Sequence, residues 1–413
     1  MIRSMYAAVS GLRSHQTMMD VVGNNIANVN THGYKRNSTI FQDVLSQTVR
    51  GAGTPTDNLG GTNPAQVGLG VTVSGTAQNF SQGFLQITNR DMDLAIQGDG
   101  FFVLETDAPQ RMYTRAGTFF LDAENRLVSS EGGLVQGWMA DPDTGEISST
   151  FHTTNLSIPI GDLTAPVITS EIKFGGNLPG ELAVGETVVT GLEVYDSQGN
   201  FVPLSLTFTK TAVHEWTATA EYGDPATAIT LTDNVVTFVD GEVSAPGDFT
   251  IDIAAGQIPD MGDIALVIGG DTERRLTQFG VEASVTAVSQ DGSAAGVLTS
   301  VRTGTDGVIS GTYSNGRTKP VAQIALASFA NPGGLERVTG SSWIPSVNSG
   351  LAQVGDTNTG GRGIVAAGAL EMSNVDLASE FTTLIQSQRG FQANSRVVTS
   401  SDELLQEIVN LKR

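Results

Sequence analysis

Both ends of this chain carry an apolar stripe with a seven-residue repeat, and the long middle of the chain does not. Apolar residues spaced alternately three and four apart share one face of an α-helix, and such a face needs a partner helix to cover it. The sequence therefore predicts one helix over residues 1–28 and another from about residue 370. The stripe residues, which we predict to form a polymerisation interface, are Ile2, Met5, Val9, Leu12, Met19 and Ile26 at the front and Leu377, Phe381, Leu384, Phe391, Val398, Leu405 and Val409 at the back.

Two arrangements would cover these stripes. The helices could be core helices of one subunit, or they could bundle with the helices of other copies. Polar residues interrupt both stripes, and polar seam positions reduce stability but specify the register of a bundle. Those interruptions, at Gln16, Gln388, Ser395 and Asp402, favour the bundle of copies.

Acidic residues are concentrated in the middle of the chain. The 413 residues have a net charge of −21, of which residues 1–36 carry +3 and residues 370–413 carry −2, so residues 37–369 carry −22. An acidic surface argues against binding to nucleic acid and to anionic membranes. We therefore expect no nucleic acid partner.

The chain contains no cysteine, which excludes disulfides, zinc–thiolate sites and thiol catalysis. No stretch approaches the roughly 20 apolar residues that span a bilayer. Arg3 and Arg13 bracket a short mixed segment that lacks the apolar run and small-residue cleavage site of a signal peptide. We expect that the protein, if exported, leaves the cytoplasm by a route without a cleaved signal peptide.

Short β-strands are predicted for most of the middle. Abundant Gly, Thr, Ser and Val favour strands joined by tight turns. Strict alternation from Val202 to Phe208 predicts a strand with one buried face. Asp291-Gly292, Asp306-Gly307 and Asn315-Gly316 predict hairpins, and so do residues 118–121 with 127–129. A short helix is expected at 41–49, and a loop at 51–66.

These patterns predict a mixed α and β, multidomain fold with paired terminal helices, a mainly β inner domain and a β-rich domain inserted into it. The predicted helical polymerisation domain is 1–36 with 370–413, and the connectors are 37–70 and 350–369. The inner β domain is 71–149 with 281–349, and the inserted outer β domain is 150–280.

No catalytic, cofactor or metal site is predicted. Residues 141–145 resemble part of a calcium loop, but the glycine comes one position early and the closing Glu is missing, which favours a simple turn. The four histidines are scattered, and residues 98–100 lack the third glycine of a dinucleotide loop. We therefore expect no enzyme activity and no small-molecule substrate.

Three motifs, in order along the chain, resemble the bacterial flagellar rod and hook family. The middle one is Ile96–Phe102, and the resemblance covers roughly residues 1–140 and 275–413. The terminal motifs contribute Asn24, Asn25, Ala27, Asn28, Thr31, Gly33, Tyr34, Lys35 and Arg36 at the front and Gln388, Arg389, Phe391, Gln392, Ala393 and Asn394 at the back.

The resemblance implies a structural subunit. Length and the central insertion favour the hook branch of the family, whose subunits polymerise into a curved, flexible tube outside the cell. That tube acts as a universal joint, transmits torque from rod to filament and passes exported subunits. The implied partners are further copies of the chain, the distal rod protein, the hook cap protein, the hook–filament junction protein and the flagellar type III export apparatus.

Two alternatives remain. A distal rod subunit would share both ends but would be straight and shorter. A secreted β-rich adhesin would bind through loops in 150–275 and would not need heptads at both ends.

Residues Tyr34, Lys35 and Arg36 form a basic run after the first helix. It predicts either a solvated loop or a contact with an acidic surface of a neighbouring subunit.

Overall fold

The computed structural model describes residues 2–55, 60–107, 110–142, 144–149, 152–223, 226–244, 250–268 and 275–411, and the side chains of Ile2, Val409 and Leu411 lie outside the described part. The chain divides into two compact units. Unit 1 comprises Met1–Ile158, Val301–Ser310 and Pro320–Arg413, and unit 2 comprises Pro159–Ser300 and Gly311–Lys319.

Two long helices lie in unit 1, as the stripes predicted. Helix α1 spans Ile2–Ala27 and helix α2 spans Leu377–Leu411. Asp376 caps α2, because its Oδ1 accepts hydrogen bonds from the backbone N–H of Ala378 at 2.9 Å and of Ser379 at 3.4 Å. This cap places the start of the helix seven residues later than the predicted residue 370. Within the described residues, neither helix is long and apolar enough to cross a membrane.

The first stretch of unit 1 after α1 consists of short strands. Residues 41–49, expected to be helical, contribute to two strands instead, and the expectation was wrong. The β-branched residues of this stretch favour extended backbone, and it pairs with residues between Gln66 and Val73. The strands are β1 (Asn37–Asp43), β2 (Ser46–Arg50), β3 (Ala65–Gly68), β4 (Val71–Gln78), β5 (Leu85–Ile87), β6 (Leu94–Gln97), β7 (Phe101–Glu105), β8 (Met112–Thr114), β9 (Phe119–Leu121), β10 (Leu127–Ser129), β11 (Leu134–Met139) and β12 (Thr154–Asn155).

Among the described residues, unit 2 contains a twelve-stranded sheet with one apolar core, and a further short strand precedes that sheet in the chain. Trp216, Phe208 and Leu206 lie fully buried in that core. The predicted alternation is confirmed, since Leu204, Leu206 and Phe208 all face inward. The strands are β13 (Leu163–Thr164), β14 (Glu171–Asn177), β15 (Thr187–Tyr195), β16 (Phe201–Ala212), β17 (Glu215–Tyr222), β18 (Thr227–Ile229), β19 (Leu231–Thr232), β20 (Val235–Val239), β21 (Glu242–Val243), β22 (Thr250–Ile253), β23 (Ile264–Val267), β24 (Leu276–Thr277) and β25 (Thr286–Gln290).

Most of the remaining strands belong to the sheet that contains β7, β8 and β11, and two of them pair separately with β5 and β6. Phe101 anchors the core of that sheet and makes edge-to-face contact with Phe329 and Trp343. These strands are β26 (Gly296–Thr303), β27 (Val308–Tyr313), β28 (Thr318–Ile324), β29 (Leu326–Ser328), β30 (Glu336–Arg337), β31 (Ser342–Ile344), β32 (Gln353–Gly355), β33 (Ile364–Ala367) and β34 (Ala369–Glu371), with a 3₁₀ turn at Pro332–Gly334.

Most of the predicted hairpins are confirmed. Strands β9 and β10 pair antiparallel. Gly307 and Gly316 turn between β26, β27 and β28 with positive φ values of 73° and 78°. The hairpin at Asp291-Gly292 was wrong, because β25 pairs with β14 whereas β26 pairs with β13 and β27. Gly292 instead lies against Thr169, whose Oγ1 would be 2.0 Å from an added Cβ.

The predicted four-part domain division stays a prediction. Along the chain, the boundaries between the two compact units fall after residues 158, 300, 310 and 319. The predicted inserted domain was 150–280. The ranges 37–70 and 350–369, predicted to be connectors, contain strands β1–β3 and β32–β33.

Truncating Phe208 tests the core of unit 2. Phe208→Ala should lower the free energy of unfolding by about 3–5 kcal/mol, because it leaves a cavity among fully buried side chains. The matched control is Val213→Ala at an exposed turn position of the same unit, which should change it by about 0.5 kcal/mol or less. Chemical denaturation followed by tryptophan fluorescence measures both, and equal effects would contradict the assigned core.

Candidate functional site

The two terminal helices pack against each other within the chain. Gly11 faces Asn394, His15 faces Gly390, and Asn25 reaches Glu380, so the two helices run antiparallel. Ser387 fixes the register, because its hydroxyl donates to the carbonyl oxygen of His15 at 2.8 Å.

Small and polar residues line this intramolecular contact. The buried positions on the two helices are Ala8, Gly11, Ser14, Val22, Asn25, Glu380, Ser387 and Ser401. Two glycines let the helices approach closely: an added Cβ would lie 2.7 Å from Asn394 Nδ2 at Gly11 and 2.5 Å from His15 Nε2 at Gly390. The fully buried positions of both helices are therefore mostly small or polar, and the large apolar side chains are left partly or fully exposed.

None of the described side chains of the predicted apolar stripes is fully buried in the subunit. The half-buried members are Met5, Val9, Leu12, Met19, Ile26, Leu384, Val398 and Leu405, and the exposed ones are Leu377, Phe381 and Phe391. The side chains of Ile2 and Val409 lie outside the described part. Further large apolar side chains, absent from the prediction, are exposed on the same helices: Tyr6, Ile385, Val397, Leu404 and Ile408.

Sequence reasoning missed the small residues that pair the helices. A heptad signal for them exists, since Glu380, Ser387, Asn394 and Ser401 are each seven residues apart. Polar residues at that spacing do not register as a stripe when only hydrophobic side chains are counted.

A buried ion cluster joins the segment after α1 to the segment before α2. Lys35 Nζ lies 2.7 Å from Glu371 Oε1, and their side chains are 1% and 0% exposed. Arg115 Nη1 lies 3.5 Å from Glu371 Oε2. Lys35 also donates to the carbonyl oxygen of Ser81 at 2.9 Å, and Arg115 donates to that of Gly98 at 2.9 Å. One carboxylate thus holds two cations from different parts of unit 1.

Burial sets the titration behaviour of this cluster. It lowers the pKa of Lys35, and the Glu371 carboxylate opposes that shift. Burial likewise lowers the pKa of Arg115, again against the effect of Glu371. Both cations therefore depend on Glu371 to remain charged at low cost.

Asn25 organises a second group of contacts at the end of α1. Its Oδ1 accepts from Tyr34 Oη at 3.0 Å and from the backbone N–H of Asn37 at 3.1 Å, while its Nδ2 donates to Glu380 Oε2 at 3.2 Å. Arg36 forms an ion pair with the other oxygen of Glu380. The N-terminal motif is therefore fastened to the first turn of α2.

The remaining motif residues divide into two groups. Asn24, Asn28 and Thr31 bond to one another as α1 ends, and the Gly33 backbone N–H, at φ 67°, donates to the Glu371 carbonyl at 2.8 Å. The other group lies on the helix surfaces: Ala27, Gln388, Arg389, Phe391, Gln392 and Ala393 are exposed.

The prediction that the basic run 34–36 is a solvated loop or contacts a neighbouring subunit was wrong. Tyr34 and Lys35 are buried, and Lys35 pairs with Glu371 of its own chain. Arg36 is the partly exposed member of the three, and it too has an intramolecular partner. Sequence reasoning could not identify these acidic partners, because they lie more than 300 residues away.

The described residues contain no group of three or more His, Cys, Asp or Glu side chains that could hold a metal ion. Of the calcium-like run 141–145, Asp143 lies outside the described part. Asp141 Oδ1 accepts from the backbone N–H of Thr144 at 3.1 Å, and Gly145 adopts a positive φ of 72°. The hydrogen bond and the positive φ are both typical of a turn.

Four family models match successive segments of the chain. Residues 5–35 match the flagella basal body rod protein, and residues 95–171 match the flagellar hook protein FlgE/F/G D1 domain. Residues 185–293 match the flagellar basal body protein FlaE D2 domain, and residues 366–411 match the flagellar basal body rod FlgEFG protein C-terminal model.

Three of the relatives match over their whole length. The chain is 40% identical to the flagellar hook protein FlgE of Borreliella burgdorferi and 37% identical to that of Treponema pallidum, with all of each chain covered. A flagellar basal-body rod protein FlgG of Bacillus subtilis is 29% identical, also over the whole of both chains. The Helicobacter pylori flagellar hook protein FlgE2 has a similar fold, with a TM-score of 0.53 and 15% identity, covering 70% of this chain and 100% of that one.

Removing the charge of Glu371 tests the ion cluster. Glu371→Gln should lower the free energy of unfolding by about 3–5 kcal/mol, because it leaves the cations of Lys35 and Arg115 buried without an anion. The control is Glu242→Gln, which breaks an exposed pair with Arg275 and should cost about 1 kcal/mol or less. Thermal or urea unfolding of the free subunit measures both, and a Glu371→Gln protein as stable as the control would refute the assigned role.

Proposed function

The chain belongs to the family of bacterial flagellar hook proteins, and from that membership we propose that its terminal helices polymerise it into a curved, flexible hook. In this proposal the assembled tube transmits torque from rod to filament as a universal joint. It also passes exported subunits along its interior. The function is mechanical and needs no chemical step.

The exposed apolar surface of the helix pair carries this proposal. The helices meet through small and polar residues, so Leu377, Phe381 and Phe391 remain exposed. Exposed apolar side chains grouped on one element are typical of a protein–protein contact. Copies of the same chain supply the same surface, and repetition of one such contact builds an open helical polymer.

The segment after α1 supports the flexible part of the proposal. Strands β1–β4 form two-stranded ladders separate from the large sheets. Small ladders of this kind have little core of their own. We infer that they let neighbouring subunits shift while the ion cluster keeps each helix pair intact.

The partners and location follow the family. We propose that the chain contacts the distal rod protein, the hook cap protein and the hook–filament junction protein at the ends of the tube. We propose that the flagellar type III export apparatus delivers it to the cell exterior without a cleaved signal peptide.

We propose that the chain is not an enzyme. Its polar clusters are occupied by contacts within the chain, as at Glu371 and Glu380.

A distal rod subunit is the second candidate. Identity of 40% to a hook protein against 29% to a rod protein favours the hook. The adhesin alternative has no comparable support.

A pair of phenylalanine substitutions tests the assembly surface. Phe381 on α2 is 50% exposed and Phe201 in unit 2 is 52% exposed. Phe381→Ser should reduce the sedimentable polymer at least tenfold, because it removes apolar surface that the proposal buries between copies. Phe201→Ser should polymerise like the unsubstituted chain. If the two variants polymerise equally, the helix surface is not the assembly contact.

Immuno-electron microscopy of isolated flagella tests the location, with antibodies raised against residues 159–300. We expect label on the short curved segment between the cell envelope and the filament. Label confined to the straight shaft within the envelope would assign the chain to the rod, and label elsewhere on the cell surface would favour the adhesin.

A further inference from the structure

Strand β5 has an unusual environment. It pairs with β34 through Leu85↔Glu371 and Ile87↔Ala369, and among the described residues β34 is its only strand partner. All three residues of β34 are buried, whereas all three residues of β5 are exposed. A two-stranded ladder with one face in water is marginal on its own. Here β34 is covered by the rest of unit 1, whereas the side chains of β5 are exposed on both faces of the strand.

Two of the three exposed side chains of β5 are apolar, and none is charged. Phe84, immediately before β5, is 87% exposed, and Ile87 is 75% exposed. Exposed edge strands in soluble proteins usually carry charges that prevent pairing with another chain. Residues 58–89 contain no charged residue, in a chain whose net charge is −21.

The backbone at Phe84 is held in place. The Phe84 carbonyl oxygen accepts from the Met372 N–H at 2.8 Å, and the Gly83 N–H donates to Glu371 Oε1 at 2.9 Å. An added Cβ at Gly83 would lie 2.0 Å from the Met372 carbonyl oxygen, so the two segments are in close contact. The exposed phenylalanine is therefore presented by a fixed backbone.

Further hydrogen bonds join the segment that precedes β5 to the segment that precedes α2. Asn374 Nδ2 donates to the carbonyl oxygens of Asn79 at 2.8 Å and Ser81 at 3.0 Å, and α2 begins three residues later. The first turns of α2 carry the exposed Leu377 and Phe381. The apolar residues of β5 and of α2 thus belong to two segments that are hydrogen-bonded together.

We propose that β5, with Phe84 and Ile87, packs against a second copy of this chain and extends the assembly contact from the helices onto the β portion of unit 1. The inference rests on the proposed function, because it needs a partner that also contacts α2. An uncharged apolar surface suits a second copy, since acidic chains approach each other with least repulsion where neither carries charge. Contacts on both a helix and a strand also resist rotation about the helix axis, which one helix contact alone does not.

Thiol labelling tests the inference directly. The chain has no cysteine, so in Ile87→Cys every label reports position 87. We expect a maleimide to react at least tenfold more slowly with the polymer than with the free subunit. Equal rates in the two states would overturn the inference. A folded Ile87→Cys subunit that no longer polymerises would support it, because the side chain is largely exposed in the free subunit.

A second pair of variants separates this inference from the proposed function. Phe84→Asp should reduce polymer at least tenfold and leave the circular dichroism of the free subunit unchanged, whereas Phe84→Leu should polymerise normally. If Phe84→Asp polymerises normally while Phe381→Ser does not, the β5 contact is refuted and the helix contact stands. If both variants polymerise normally, both proposals fail.

Discussion

Glu371 holds the two ends of this chain together. Its carboxylate is fully buried and pairs with Lys35, which lies 336 residues earlier, and with Arg115 of the β portion. Burying charged groups costs several kcal/mol per ion unless each finds a partner, so removal of the anion leaves two unfavourable cations. This one side chain therefore joins the segment after α1, the segment before α2 and the β portion of unit 1, beside the contacts that Glu380 and Ser387 make with the first helix.

The small residues between the helices have a consequence for assembly. A larger side chain at Gly11 or Gly390 would clash with the facing helix and hold the two helices further apart. Because the close approach uses glycine, alanine and serine, the stripe residues remain half-buried or exposed. A subunit of this kind is a stable pair of helices that still has apolar area to bury against its neighbours.

Local pattern was enough to predict the helices, most hairpins and the family. The heptad spacing located α1 and α2 within a few residues, except where Asp376 caps α2 later than expected. The family prediction, made from three motifs, is confirmed. The ion cluster could not be predicted, since nothing near Lys35 in sequence indicates Glu371. The same limitation explains the errors at Asp291-Gly292 and at 41–49, where pairing with distant strands decides the conformation.

Charge is distributed between the two units in a way that suits a polymer. Unit 2 carries −14 of the net −21, and unit 1 carries the remaining −7. Charges on neighbouring copies repel within a Debye length of about 8 Å at physiological ionic strength. The surfaces of unit 1 that we propose as assembly contacts, the stripes and β5, include stretches without charge, so they can approach a second copy with less repulsion than unit 2. Apolar contacts through unit 1, together with repulsion between copies of unit 2, favour one specific contact over aggregation. The same repulsion keeps neighbouring copies of unit 2 from sticking together, so the distance between them can change as the polymer bends.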